Sequence, residues 1–315
     1  MNALWLENHQ LGLRSLPEPA KPGEALIRIR VAGICSTDLE LVKGYYPFTG
    51  IPGHEFIGEV VASDDESWVG QRVVGEINVT CGNCEQCLNA RSTHCENRTV
   101  LGITKRNGTF AEFTTLPLAN LHRVPASVPD EMAVFTEPLA AALEIQQQVH
   151  VRPTDRVLVV GAGRLGQLIA QSLALTGCDL HVAARHAYQQ KIMIERGIRV
   201  IGEEDIQPWR WDIVVEATGS PGGFSLARQA IRPRGTLVMK STCKGEMSVN
   251  FSSIVVDEVN IIGSRCGPFE PALRLLEEGK VDPSVLIEAE FKLGEALLAF
   301  ERAAQAGVLK VLVTP

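Results

Sequence analysis

Val157-Leu158-Val159-Val160-Gly161-Ala162-Gly163-Arg164-Leu165-Gly166 is the stretch that decides how this chain folds. An apolar run enters a glycine-rich turn. Gln167-Leu168-Ile169-Ala170-Gln171-Ser172-Leu173-Ala174-Leu175 follows with helical character and stops at Gly177. A buried strand, a G-x-G-x-x-G turn and a helix, in that order, form a dinucleotide-binding fingerprint. Gly161 allows the tight turn, Gly163 lets backbone approach a pyrophosphate, and Gly166 lets the helix pack on the strand. Arg164 and Leu165 complete the turn at the helix N-terminus, where N–H groups and the helix dipole favour negative charge.

Downstream the pattern continues as alternating strands and helices. Residues 179–184 read as the second strand, 189–194 as a helix ending at Gly197, and 211–216 as another strand. A helix over 224–231, a strand over 235–240 and a last strand over 260–264 complete the series. Ala217-Thr218-Gly219 lies at a strand's carboxyl end, where open α/β sheets bind ligands. An NAD-preferring fold usually ends its second strand with an acid for the ribose 2′-hydroxyl. Here the strand ends Ala183-Ala184-Arg185-His186. Arg185, with His186 beside it, suits a 2′-phosphate, so the expectation leans to NADP over NAD. The structural alternative has Arg185 on the adenine face or in solvent.

Upstream the chain is β-rich. Ala25-Leu26-Ile27-Arg28-Ile29-Arg30-Val31 alternates with period two. Ala32-Gly33-Ile34-Cys35-Ser36-Thr37-Asp38 follows, and Pro52-Gly53-His54-Glu55-Phe56 enters another strand. Taken singly, Cys35 also suits a small buried hydrophobe and His54 a satisfied core histidine. Cys81-Gly82-Asn83-Cys84-Glu85-Gln86-Cys87 followed by Cys95 is more specific. Four thiolates on one short loop close a tetrahedral shell around zinc, with no vacancy, so this site is structural. His94 reads as a surface residue, and Cys178, Cys243 and Cys266, without metal spacing, as packing residues.

The 315 residues suffice for two domains. A net charge of −7 gives no general attraction to nucleic acid or anionic membrane. Charge arrives at Glu7, too early for a signal-peptide core, and no apolar run is long enough to span a bilayer, so a cytoplasmic location is expected.

Taken together, these pieces resemble the zinc-containing medium-chain dehydrogenase/reductase superfamily, in its polyol (sorbitol-type) and secondary-alcohol branch. The matching motifs are Gly33-Ile34-Cys35 with Thr37-Asp38, Gly53-His54-Glu55, the four-cysteine lobe and Gly108-Thr109-Phe110-Ala111-Glu112-Phe113. Phe135-Thr136-Glu137-Pro138-Leu139, the glycine turn, Glu216-Ala217-Thr218-Gly219 and Lys310-Val311-Leu312-Val313 complete the set. The resemblance implies an α/β chain. A Rossmann doubly wound parallel sheet over 138–267 joins a mostly-β, GroES-like catalytic domain built from 1–137 and 268–315.

It also implies a catalytic zinc held by Cys35, His54 and Glu137, with Glu55 as a ligand or an exchanging neighbour, besides the structural zinc of Cys81, Cys84, Cys87 and Cys95. Asp38 would orient the imidazole of His54, and Thr37 would bond the substrate oxygen and pass its proton outward. Such a site interconverts a secondary alcohol or polyol with its carbonyl, using NADP or NAD. A homodimer or homotetramer acting on a small molecule is implied, with pairing through the last strand.

Two departures stand out. Ser36 occupies a position usually held by glycine. Glu40 replaces the histidine that continues the proton relay in many members; as an acid it suits either a proton acceptor or a solvated surface charge. They keep two rivals in view: a non-catalytic dinucleotide-binding redox or metal sensor, and a zinc-free carbonyl or enone reductase. Tyr45, Tyr46 and Phe48 suit either a substrate pocket or loop packing.

Overall fold

Arg156–Val160 is the middle of a six-stranded, all-parallel sheet. On one side lie Asp179–Ala183 and then Arg199–Ile201. On the other lie Trp211–Glu216, Ile231–Met239 and Asn260–Gly263. In chain order this is 3-2-1-4-5-6, the doubly wound order that reverses at the first strand. Val157, Leu158 and Val159 are fully buried, as strands covered on both faces require. Leu158, Val160, Trp211, Val214, Phe224, Ala227 and Leu237 pack into one core.

The structure, a computed structural model, describes residues 1–242 and 248–315; Cys243 lies outside them. The chain divides into two compact units, Pro138–Pro268 and Met1–Glu137 joined with Phe269–Pro315.

The second of these holds a seven-stranded sheet. Its centre is the antiparallel pair Glu24–Gly33 and Glu55–Ala62. Lys310–Thr314, from the far end of the chain, pairs antiparallel with Glu24–Gly33 through Leu312↔Gly33. The small lobe carries its own three-stranded sheet, from Asn78–Val79, Thr99–Leu101 and Lys105–Arg106. Arg106 returns from that lobe to grip Glu24 with both terminal nitrogens, each at 2.8 Å. Burial alone would raise the Glu24 pKa. The charges of Arg106 and Lys21 outweigh it and hold the carboxyl at about 2.

Element ends shift from expectation for local reasons. The helix expected over 224–231 runs over Pro221–Ala230. Ser220 caps it, its hydroxyl accepting from Gly223 N at 3.1 Å, and Pro221 pre-sets the first turn. The strand expected from Gly235 begins at Ile231, because an irregularity between Trp211 and Ile213 lets it pair early. The fingerprint helix starts at Arg164, immediately after Gly163.

Candidate functional site

The pairing Gly33↔Glu55 builds the first site. It joins the end of one strand to the start of the next, so Cys35 and His54 leave the sheet side by side. Cys35, His54 and Glu55 each offer a ligand atom, all within 4.8 Å of one another. Gly53 makes the approach possible. Its φ of +100° is left-handed, and a Cβ there would meet Thr109 Oγ1 at 2.7 Å and the Phe110 ring at 2.8 Å.

Asp38 binds both halves together. It sits in the short helix Ser36–Val42 and is fully buried. Its carboxylate accepts from Cys35 N at 2.8 Å and from Gly53 N at 3.2 Å. Oδ1 also lies 3.3 Å from His54 Nδ1, at ion-pair distance but off the line of a hydrogen bond. Burial lowers the His54 pKa, yet the charges of Asp38 and Cys35 outweigh it and raise it well above the ordinary value. An imidazole so attracted to positive charge beside a thiol is suited to a cation. With Nδ1 turned to Asp38, Nε2 is the nitrogen left for it.

Glu55 has a second partner. Lys310 Nζ donates to Glu55 Oε2, and both side chains are 2% exposed. The Lys310 ammonium also lies 5.4 Å from the centre of the Phe135 ring. The pairing of Lys310–Thr314 beside Gly33 delivers this lysine from the opposite end of the chain. Sequence spacing gives no sign of it.

Glu137 lies in the first turn of Thr136–Gln148 and is half-buried. It is not among the residues whose ligand atoms fall within 4.8 Å. Thr37 is half-buried, with its hydroxyl 3.8 Å from Cys35 Sγ. Glu40 accepts from Lys43 at 2.8 Å on the helix surface. Tyr45 and Tyr46 stack edge-to-face at 4.5 Å, and Tyr46 is exposed.

The lobe gathers Cys81, Cys84, Cys87 and Cys95 within 4.8 Å. Sγ–Sγ separations are 3.5 Å for Cys84–Cys87, 3.8 Å for Cys84–Cys95 and 3.5 Å for Cys81–Cys95. These are too long for disulfides. A zinc–sulfur bond of about 2.3 Å gives tetrahedral edges of about 3.8 Å, so the sulfurs already outline such a shell. Backbone donation by Asn83 and Cys84 draws Cys81 down to about 6, while burial and its thiol neighbours push Cys87 up to about 11. If all four ionised, sulfurs at this spacing would need a cation among them. His94 is exposed.

The cofactor edge lies in the other unit. Gly161 has φ +103°, and a Cβ there would meet Thr218 Cγ2 at 2.9 Å. A Cβ on Gly166 would meet the Gly161 carbonyl oxygen at 2.0 Å, whereas one on Gly163 would meet nothing within 4 Å. Arg164 and Leu165, both half-buried, open the helix. The glycines therefore fit a cradle: one makes the turn, one closes it on the helix, and one leaves room for a ligand.

Thr218 turns its hydroxyl inward. Oγ1 donates to Glu216 Oε1 at 2.5 Å, and Ser241 Oγ donates to Glu216 Oε2. Buried Glu216 thus ties the loop to the sheet edge, a role the sequence did not disclose. Arg185 and His186 are exposed at the end of the second strand, and Arg185 Nε donates to Glu203 at 2.6 Å.

A model of the alcohol dehydrogenase GroES-like domain matches residues 21–126. The sorbitol dehydrogenase of Halalkalibacterium halodurans is 30% identical over 343 aligned positions, covering 100% of this chain and 99% of that one. The chain belongs to the zinc-type medium-chain alcohol and polyol dehydrogenase superfamily. Two solved dehydrogenases share the architecture over the full length. One, from Sinorhizobium meliloti 1021, is described as a zinc-binding dehydrogenase and was solved with NADP. It has a TM-score of 0.92 and 27% identity, covering 100% of this chain and 99% of that one. The other is an alcohol dehydrogenase from E. coli CFT073 solved with NADH. Its TM-score is 0.89 and its identity 26%, with the same coverage. Among the described residues, no helix is long and apolar enough to cross a membrane.

Proposed function

We propose that this dehydrogenase is zinc-dependent and moves hydride between a nicotinamide cofactor, NADP before NAD, and a secondary alcohol or polyol and its carbonyl counterpart. One observation carries the reading: a thiol, an imidazole and a carboxylate meet at a strand junction, oriented by a fully buried aspartate. A zinc ion held there would supply Lewis acidity to a substrate C–O bond and bring the hydroxyl pKa toward neutrality, and a nicotinamide cofactor would supply the hydride acceptor or donor.

The protein's own groups do the rest. Cys35 and His54 would hold the ion, with Glu137 as third ligand and Glu55 exchanging. Asp38 fixes the His54 ring so that Nε2 stays available. Thr37 hydrogen-bonds the substrate oxygen and takes its proton outward. Glu40 is held by Lys43, which supports its reading as a surface charge. The choice of NADP rests on Arg185 and on the absence of an acid at the carboxyl end of the second strand. The cofactors seen in the two related structures differ, so the NADP reading rests on this chain's own residues.

A homodimer or homotetramer in the cytoplasm belongs to the same reading. Asn260–Gly263 is an edge strand, and Phe251, Val255, Val256 and Ile261 are exposed close to it in sequence. Unpaired lobe cysteines suit a reducing compartment.

Zinc content and turnover, measured on the same preparation, test the proposal. Two zinc ions per chain and turnover of secondary alcohols or polyols with NADP are expected, and Glu137→Ala should lose one ion and most of the rate. Active protein with one ion, confined to the thiolate lobe, would sink the catalytic-zinc reading.

A further inference from the structure

The pairing Ala183↔Ile201 sends two neighbouring segments off the carboxyl edge of the sheet in step. Ala184 and Arg185 follow the one; Gly202 and Glu203 follow the other. Arg185 Nε donates to Glu203 Oε1 at 2.6 Å, with the arginine two-thirds exposed. Such a solvent-facing pair contributes little to stability. Its position gives it another consequence. A carboxylate absent from the carboxyl end of the second strand is supplied to the same place by the turn after the third.

Glu203 also opens a run of three acids. Glu203, Glu204 and Asp205 form a single turn capped by Gly202, and the Glu204 carboxylate folds back over Gly202. A 2′-phosphate arriving at Arg185 brings nearly two negative charges and has to share the guanidinium with Glu203. A ribose 2′-hydroxyl brings a donor, which a carboxylate accepts.

We propose that Glu203 sets the NADP-to-NAD ratio of this dehydrogenase, competing with the 2′-phosphate for Arg185 and accepting the 2′-hydroxyl of NAD. The inference rests on Arg185 being the 2′-phosphate ligand. It assigns the discriminating carboxylate to the turn that follows the neighbouring strand, beside the strand end where such folds usually carry it.

The test is direct binding of NADPH and NADH to zinc-loaded full-length protein, by calorimetry, for wild type, E203Q, R185A and the double variant. Roughly fivefold to tenfold tighter NADPH binding in E203Q is expected, with NADH unchanged or weakened. The gain should shrink with added salt and vanish in the double variant. An unmoved ratio in E203Q, or one moved toward NAD, overturns the proposal while R185A still loses NADPH. If R185A holds NADPH as tightly as wild type, Arg185 leaves the site and the proposal goes with it. The two failures therefore register in different variants.

Discussion

Asp38 Oδ1 lies 3.3 Å from His54 Nδ1, while the same carboxylate receives the backbone N–H groups of Cys35 and Gly53. One buried acid therefore ties the Cys35 and Gly53–His54 segments together and sets its charge against the Nδ1 edge of the imidazole. Partners of this kind are worth about 10–100-fold in metal affinity. Asp38→Asn keeps the volume but loses the charge. It should release one zinc ion per chain on dialysis against a weak chelator, while the lobe keeps its ion. Retention of both ions with an unchanged rate would remove Asp38 from that role.

The Lys310–Glu55 pair predicts an asymmetric response to mutation. Both groups are buried, and in the metal-free protein removing the lysine leaves a carboxylate with no counter-charge. Breaking a buried pair this way costs about 3–5 kcal/mol, whereas replacing both partners with neutral groups costs less. In urea denaturation, Lys310→Met should lose more stability than Glu55→Gln with Lys310→Met. A single variant within about 1 kcal/mol of wild type would contradict the pairing.

What could be read in the sequence depended on how far apart the partners lie. The strand before Gly161 and the cysteines from Cys81 to Cys95 show themselves through periodicity and spacing, because each is local. The start at Ser220-Pro221 was also local; it lay in a cap and a proline, not in the apolar pattern. His54 and Asp38 were joined through resemblance alone. Lys310 and Glu55 meet only because two distant strands pair on the same neighbour, so neither composition nor period can show it. Glu203 escaped for a like reason. Its relation to Arg185 exists in the register of two strands.

Glu24 should make stability fall in acid. Its side chain is 6% exposed, and Arg106 and Lys21 hold it at about 2 in place of an ordinary 4.5. A carboxyl lowered on folding contributes fully above its unfolded pKa, and that contribution is lost as pH falls through the folded one. The window is therefore about pH 4.5 down to about 2, worth on the order of 3 kcal/mol. Any zinc held by the lobe cysteines would also leave in acid, so the useful quantity is the difference between wild type and Glu24→Gln. That difference should be full at pH 6 and shrink through the window. A gap between the two denaturation midpoints that ignores pH would sink this account.

Gly163 and Gly166 predict opposite outcomes for the same substitution. At Gly166 a methyl group would press on the Gly161 carbonyl oxygen at 2.0 Å, and neither backbone segment can yield without opening the turn. Gly166→Ala should therefore cost about 1–3 kcal/mol of stability, with cofactor binding lost as a consequence. At Gly163 the backbone is extended, with φ −71° and ψ −168°, and the methyl group meets no protein atom within 4 Å. Gly163→Ala should leave the melting temperature unchanged or raise it slightly, since alanine limits the unfolded chain more than glycine does. The room it fills is the room a pyrophosphate needs, so NADPH should bind at least about tenfold more weakly, or about 1.4 kcal/mol. Thermal melting and calorimetric titration of the two variants separate fold from cradle. If Gly163→Ala bound NADPH as wild type does, the turn would not be where the pyrophosphate rests.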